Sequence, residues 1–299
     1  MLTEPEHITL DEVRNAVHEN YGVALGALHF VPLGEDSWNY RAPEVWISVR
    51  RDLRGHRPDA YRLARALADA QMDFVVAPMR TRTGAVVAKI VNHPLVVFPE
   101  IIGSPVGDSL TTSEREQVVG MLRRVHGWER PTRLPIEDFE LPFLQTLRAS
   151  LEWTHGGEPP SGPFSERLRT RLGEFAPRIK VLIDETLNLA QQCRRDHTPF
   201  SITHGDISVD NVLRSAGRLL LIDWGSAAWA PVERDWYHLA RAFGSGPSGR
   251  PQFMRFYRNK WVLSEIDEYA TVLRRFHSGS IDDHAMWIRL LTWLEAARA

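Results

Sequence analysis

"HGDISVDNVLRSAGRLLLIDWG", residues 204–225, decides how this chain is read. Two apolar runs flank Ser215-Ala216-Gly217, and Asp206, Asn211 and Asp223 stand toward the mouth of the hairpin they predict. A three-residue hairpin loop needs a left-handed residue, which Gly217 supplies. That loop is expected to pair Arg214 with Arg218 and Asn211 with Leu221. Asp223 then falls diagonally from Asn211 on the same face, because strand side chains alternate. An amide oxygen and a carboxylate converging there suit a hard, oxygen-seeking cation such as Mg²⁺. Either residue alone reads equally well as the polar rim of an edge hairpin. Asp206, on the turn that leads into the strand, shifts that balance. A third oxygen-bearing group aimed at the same spot makes a phosphoryl-transfer layout, with Asp206 orienting or deprotonating an attacking hydroxyl.

Around this stretch the chain has 299 residues, 43% of them hydrophobic, enough to bury a full core. Lys+Arg 36 against Asp+Glu 38 gives a formal net charge of −2, which is no electrostatic footprint for nucleic acid. Nearly all the positive charge is arginine, the lysines being Lys89, Lys180 and Lys260. Cys193 is the single cysteine, which excludes an intrachain disulfide and points to a packing role in a reducing compartment. The opening "MLTEPEHITL" lacks the basic and apolar regions of a leader, and no apolar run approaches the ~20 residues of a membrane span. A soluble cytoplasmic protein with no membrane partner is expected, its oligomeric state open.

The first hundred residues differ in pattern from the rest. Thr9 and Glu12 have capping-box spacing ahead of a helix that Gly22 stops. Strands are expected at 27–33, 37–41 and 44–50, a helix at about 58–71, and two more strands in "AVVAKI" and "PLVVF". Beyond "PEIIGSP" the segments read as helices: one opened by a Ser113–Glu116 capping box, then 141–153, 164–194, 232–243, 252–259, 265–277 and 282–298. The organisation is α+β, with a sheet-rich part at 1–99 and a larger, mainly helical part at 100–299.

Four segments then point to a family. "HGDISVDNVL" followed by "LIDWG" resembles the catalytic and metal-binding segments of the aminoglycoside phosphotransferase and choline-kinase-like branch of the protein-kinase fold. "VVFPEIIG" (96–103) is similar to the hinge between lobes, and "LRRVHG" (122–127) to a helix ending in a Leu-His pair. "APVERDWYHLA" (230–240) is similar to the segment whose aspartate, here Asp235, braces the catalytic loop. The likeness covers roughly residues 28 to 240, and "TRTGAVVAKIVNHPLVVFPEIIG" most resembles spectinomycin-kinase-like members. It implies a bilobal kinase-like fold using ATP and Mg²⁺. Asp206 would be the catalytic base, Asn211 and Asp223 the metal ligands, and His204 and Asp235 supports of the loop. Backbone groups of Pro99 and Ile101 would hold adenine, with Phe98 packed behind.

One position departs from that family. The third strand, "VWISVRRD", carries Ser48 where such kinases place a phosphate-gripping lysine. Arg50, two residues on and on the same face, is one replacement; Lys89 on the neighbouring strand is another. Arg50 and Arg51 read equally as solvated rim charges. The helix glutamate that pairs with such a lysine is also missing, Asp59 being the nearest acid. In the loop "PLGEDSWNYR" (32–41), Ser37 and backbone amides are expected to stand in for a glycine-rich cradle. "GSGPSG" (244–249) follows a helix and is expected to end it. The twelve histidines show no metal-ligand spacing.

The reading is an ATP-dependent kinase acting on a hydroxyl of an antibiotic-like, aminoglycoside or aminocyclitol small molecule. A catalytically weak binding protein, and a kinase of choline, a sugar or an amino alcohol, stay open. Acids such as Asp210, Glu265, Asp267, Asp282 and Asp283 either attract a cationic acceptor or serve as solvated and capping residues.

Overall fold

The computed structural model describes residues 3–34, 37–51, 57–107, 109–130, 132–157 and 159–298. Glu35 and Asp36 of the expected phosphate-covering loop lie outside the described residues. Two compact units emerge: 1–136 with 200–248, and 137–199 with 249–299. The boundary expected at 99/100 falls inside the first.

In the first unit, β1 (His29–Val31), β2 (Ser37–Ala42), β3 (Val45–Arg50), β4 (Ala88–Ile90) and β5 (His93–Pro99) form an antiparallel sheet in the order β1-β2-β3-β5-β4. Its two faces separate by alternation. Trp38, Tyr40, Ile47, Val49, Leu95 and Val97 join Val13 and Val17 of α1 (Leu10–Tyr21) in one core. Ser37, Asn39, Ser48, Arg50, Val96 and Phe98 therefore point the other way, where Val96 and Phe98 pack with Tyr61 of α2 (Pro58–Asp69). The Thr9–Glu12 capping box and the left-handed Gly22 bound α1 as expected. β1 is shorter than the 27–33 expected.

Behind the sheet, the chain runs through β6 (Ser104–Pro105) into α3 (Thr112–His126). The capping box of α3 is Thr111–Glu114, not Ser113–Glu116. The "TTSERE" run offers both frames, and the earlier one wins where Glu114 also takes both arms of Arg214, at 2.6 and 3.0 Å. The unit closes with β7 (Ser201–Thr203), β8 (Val212–Ser215), β9 (Arg218–Leu221), a 3₁₀ turn (Trp224–Ser226), β10 (Ala228–Ala230) and α6 (Glu233–Phe243). Gly244, with φ of 72°, ends α6, so "GSGPSG" is the expected helix-ending loop.

The hairpin β8–β9 forms, but in a different register. Ser215 pairs with Arg218 across a two-residue turn, Ala216-Gly217, with φ of 48° and 78°. Two left-handed residues in succession match the twist of the strands better than the three-residue loop. Leu221 consequently faces Val212, and the Ile222 amide reaches the Asn211 carbonyl at 3.1 Å. Two tethers hold this hairpin to the rest of the first unit. β6 pairs with β8, Ser104 opposite Arg214. On the other edge, Leu221 bonds Phe74 and Val76 through its amide (2.7 Å) and carbonyl (3.0 Å).

The second unit contains α4 (Leu144–Trp153), α5 (Ser165–Arg195), α7 (Pro251–Arg274) and α8 (Ile281–Ala296), packed around Leu147, Leu172, Ile179, Leu263, Ile266 and Leu290. The helices expected at 252–259 and 265–277 are one, because buried Val262 and Leu263 carry the apolar stripe through the gap. Cys193 is buried, as a packing residue should be. Asp283 caps α8 with Ser280, and Asp267 accepts from Thr146 at 2.9 Å, so both acids have structural work. No helix among the described residues is long and apolar enough to cross a membrane.

Two predictions follow from these joints. A methyl group on Gly103 would sit 2.4 Å from the Arg214 carbonyl oxygen, a backbone atom that cannot swing away. Gly103→Ala should cost roughly 1–3 kcal/mol in denaturant unfolding, as overpacking does; an unchanged midpoint would refute the close approach. The Arg214 guanidinium, helped by Thr111, holds the Glu114 carboxyl at about 2, below its ordinary 4.5. A depressed carboxylate stabilises the fold above its unfolded pKa and loses that effect as pH falls toward the folded one. Glu114→Gln should therefore flatten the decline in stability between pH 4.5 and 2; an unaltered slope would count against the pairing.

Candidate active site

The site is organised from below by a buried acid. Asp235, in the first turn of α6, has no exposed surface. Its carboxylate accepts from the amides of His204 (3.0 Å) and Gly205 (2.7 Å) and lies 2.9 Å from His126 Nε2. Burial alone would raise this carboxyl; the His126 hydrogen bond and charge, with His204 and the Gly205 amide, outweigh it and hold the group below its ordinary range. A buried charge gathered in this way persists because both of its oxygens accept hydrogen bonds.

Gly205 takes φ of 80°, and the Arg234 guanidinium occupies the space a Cβ would need. Arg234 also donates to Thr203 Oγ1 at 3.0 Å. Only glycine supplies both the dihedral and the clearance. His204 then bridges two segments. The tautomer with its proton on Nε2 satisfies both neighbours: Nε2 donates to the Ile222 carbonyl at 2.9 Å, and Nδ1 accepts the Asp206 amide at 3.3 Å. One imidazole thus fixes the backbone of Asp206 and the peptide preceding Asp223.

Asp206 is 27% exposed at its side chain. Asn211 Nδ2 donates to its backbone carbonyl (2.9 Å) and its carboxylate (3.0 Å). Burial pushes the Asp206 carboxyl upward and the charge of Asp223 adds to that, while His204, Arg241 and Asn211 oppose it. Arg241 Nη2 lies 3.8 Å from Asp206 Oδ1. Asp223, left-handed with φ of 57°, caps the 3₁₀ turn through the Gly225 amide at 3.4 Å. Beneath it Trp224 is buried against the His204 ring, 4.6 Å between centroids.

The oxygens present fit a magnesium ion. Asn211 commits its nitrogen to Asp206, which leaves its Oδ1 as the coordinating atom, and Asp223 offers a carboxylate. The donor set is hard oxygen, and the charge of Asp223 helps push the Asp206 carboxyl upward, a repulsion that a bound cation would relieve.

The remaining expected residues form a second group, on the sheet. Ser48 is buried, opposite Asn39 on one side and Val96 on the other. Arg50 ends β3 on the same face, opposite Ser37. Asn39 donates to the Leu33 carbonyl at 2.6 Å and accepts from Ser37 at 3.2 Å. Lys89 shares that face but is exposed on edge strand β4. Asp59 is engaged by Arg62 of its own helix at 2.6 Å. Phe98 meets Tyr61 edge-on at 6.2 Å, and Pro99 and Ile101 lead on toward Gly103. Sequence reading missed Arg241, Arg234 and the Phe74–Val76 tether; Arg241 stands six residues after Asp235, a spacing that no motif marks.

Comparison with known proteins bears on the family and the fold. The model of the phosphotransferase enzyme family matches residues 49–269. Protein StrN of Streptomyces griseus is 39% identical over 313 aligned positions, covering 100% of this chain and 98% of that protein. Among solved structures, a spectinomycin phosphotransferase in complex with ADP and spectinomycin superposes with a TM-score of 0.82 at 16% identity, over 98% of this chain and 99% of its own. A choline kinase of Streptococcus pneumoniae superposes at 0.57 with 10% identity, over 96% and 98%. The structural likenesses speak for a protein-kinase-like fold. The family match and the full-length relative go further: this chain belongs to the phosphotransferase enzyme family, enzymes that pass a phosphoryl group to a hydroxyl acceptor.

Proposed function

We propose that the enzyme uses MgATP to phosphorylate a hydroxyl of an aminocyclitol- or aminoglycoside-like small molecule. The observation that carries this is the single hydrogen-bonded cluster of Asp206, Asn211, His204 and Asp235 with Asp223 beside it. The acceptor class is supported by a full-length fold likeness to an enzyme solved with spectinomycin.

In this reading Asp206 accepts the hydroxyl proton as its oxygen attacks the terminal phosphoryl group. Asn211 holds the carboxylate in line, and His204 and Asp235 prevent the loop from shifting. Asn211 Oδ1 and Asp223 would hold magnesium, which supplies positive charge to the transferred group when bound. Adenine lies against backbone groups at Pro99 and Ile101, with Phe98 behind it. On the sheet, Ser48 offers a hydroxyl in place of a charge, and Arg50, one step along the same face, provides the cation for the phosphates. A metabolite alcohol is the second reading, favoured by the choline kinase likeness.

ADP release measured across aminoglycosides, aminocyclitols and metabolite alcohols distinguishes the two acceptor classes. With the acceptor that turns over, Asp206→Ala should lower the rate by about 10²–10⁴ while MgADP still binds; undiminished turnover would end the assignment of the base. Arg50→Ala should weaken MgADP on the order of tenfold or more in calorimetry. Equal affinity would return Arg50 to the status of rim charge.

A further inference from the structure

We propose that His7 and His93 form a two-histidine site for a divalent transition metal of the zinc class, separate from the phosphotransfer site. The Nε2 atoms of the two imidazoles stand 3.4 Å apart. That is long for a hydrogen bond from a ring N–H, which centres near 3 Å. It equals the edge of a tetrahedron around zinc, since two Zn–N bonds of about 2.0–2.1 Å set their nitrogens roughly 3.3–3.4 Å apart.

His93 is already oriented as a ligand. Its Nδ1 lies 3.0 Å from the Arg50 carbonyl oxygen, which can only accept, so the proton sits on Nδ1 and the lone pair on Nε2. A metal-bound imidazole is normally braced by such a bond on its far nitrogen. Trp38 walls the pair, its ring 5.1 Å from that of His7 and 5.3 Å from that of His93. Paired imidazoles select Zn²⁺, Co²⁺, Ni²⁺ or Cu²⁺ over Mg²⁺ and Ca²⁺. No group of three or more His, Cys, Asp or Glu converges among the described residues, so the proposed site is a two-imidazole one. An occupied site would clip the segment ahead of α1 to the β4–β5 turn, and through His93 to the end of β3.

Calorimetric titration of untagged, metal-stripped full-length protein with ZnCl₂ tests this. One saturable site is expected, weakened at least tenfold in His7→Asn and in His93→Asn and kept in His29→Asn, which alters another exposed histidine. Ni²⁺ quenching of Trp38 emission, taken as the difference from Trp38→Phe, reads the same site with both histidines intact. Absence of saturable binding, a site retained in either histidine variant, or unquenched Trp38 emission overturns the proposal.

Discussion

The carboxylate of Asp235 is the constraint on which the candidate active site depends. It has no surface of its own, and from the head of α6 it joins two other segments: the end of α3, through His126, and the loop before Asp206, through the His204 and Gly205 amides. A charge in that position is tolerable only while all three stay assembled, since loss of any one strands it. The loop that carries Asp206 is therefore held by the cost of the alternative. His204 extends the same logic to the far side by tying the loop to the strand that ends in Asp223.

The five-stranded sheet supplies a different kind of order. Its outer face is conventional core with α1. Its inner face carries Ser37, Asn39 and Ser48, all nearly buried, in a region where burying hydroxyls and amides has a cost unless they serve something. Asn39 serves the carbonyl of Leu33. The Ser48 and Arg50 pair is where this chain departs most from the family resemblance, and the geometry there is that of a face built for polar company.

That Asp206, Asn211 and Asp223 come together was legible in residues 204–225, because it depends on local spacing. Helix starts were legible where one capping frame existed, as at Thr9, and misread where two overlapped, as at Thr111. The hairpin register slipped by one because a turn with Ala216 left-handed is not what its side chain advertises. His7 and His93, 86 residues apart, and Arg241 beside Asp206 were invisible, since only folding brings them to their partners.

The two tethers of the β8–β9 hairpin are of one kind. One joins β6 to β8, the other joins residues 74–76 to β9, on opposite edges of the same small body. Both attachments are made by main-chain hydrogen bonds, so they ask for no particular side chain at Phe74, Val76 or Leu221 and persist through substitutions that keep the strands extended. Asp223, two residues beyond Leu221, is thereby placed by backbone geometry more than by the side chains of its neighbours.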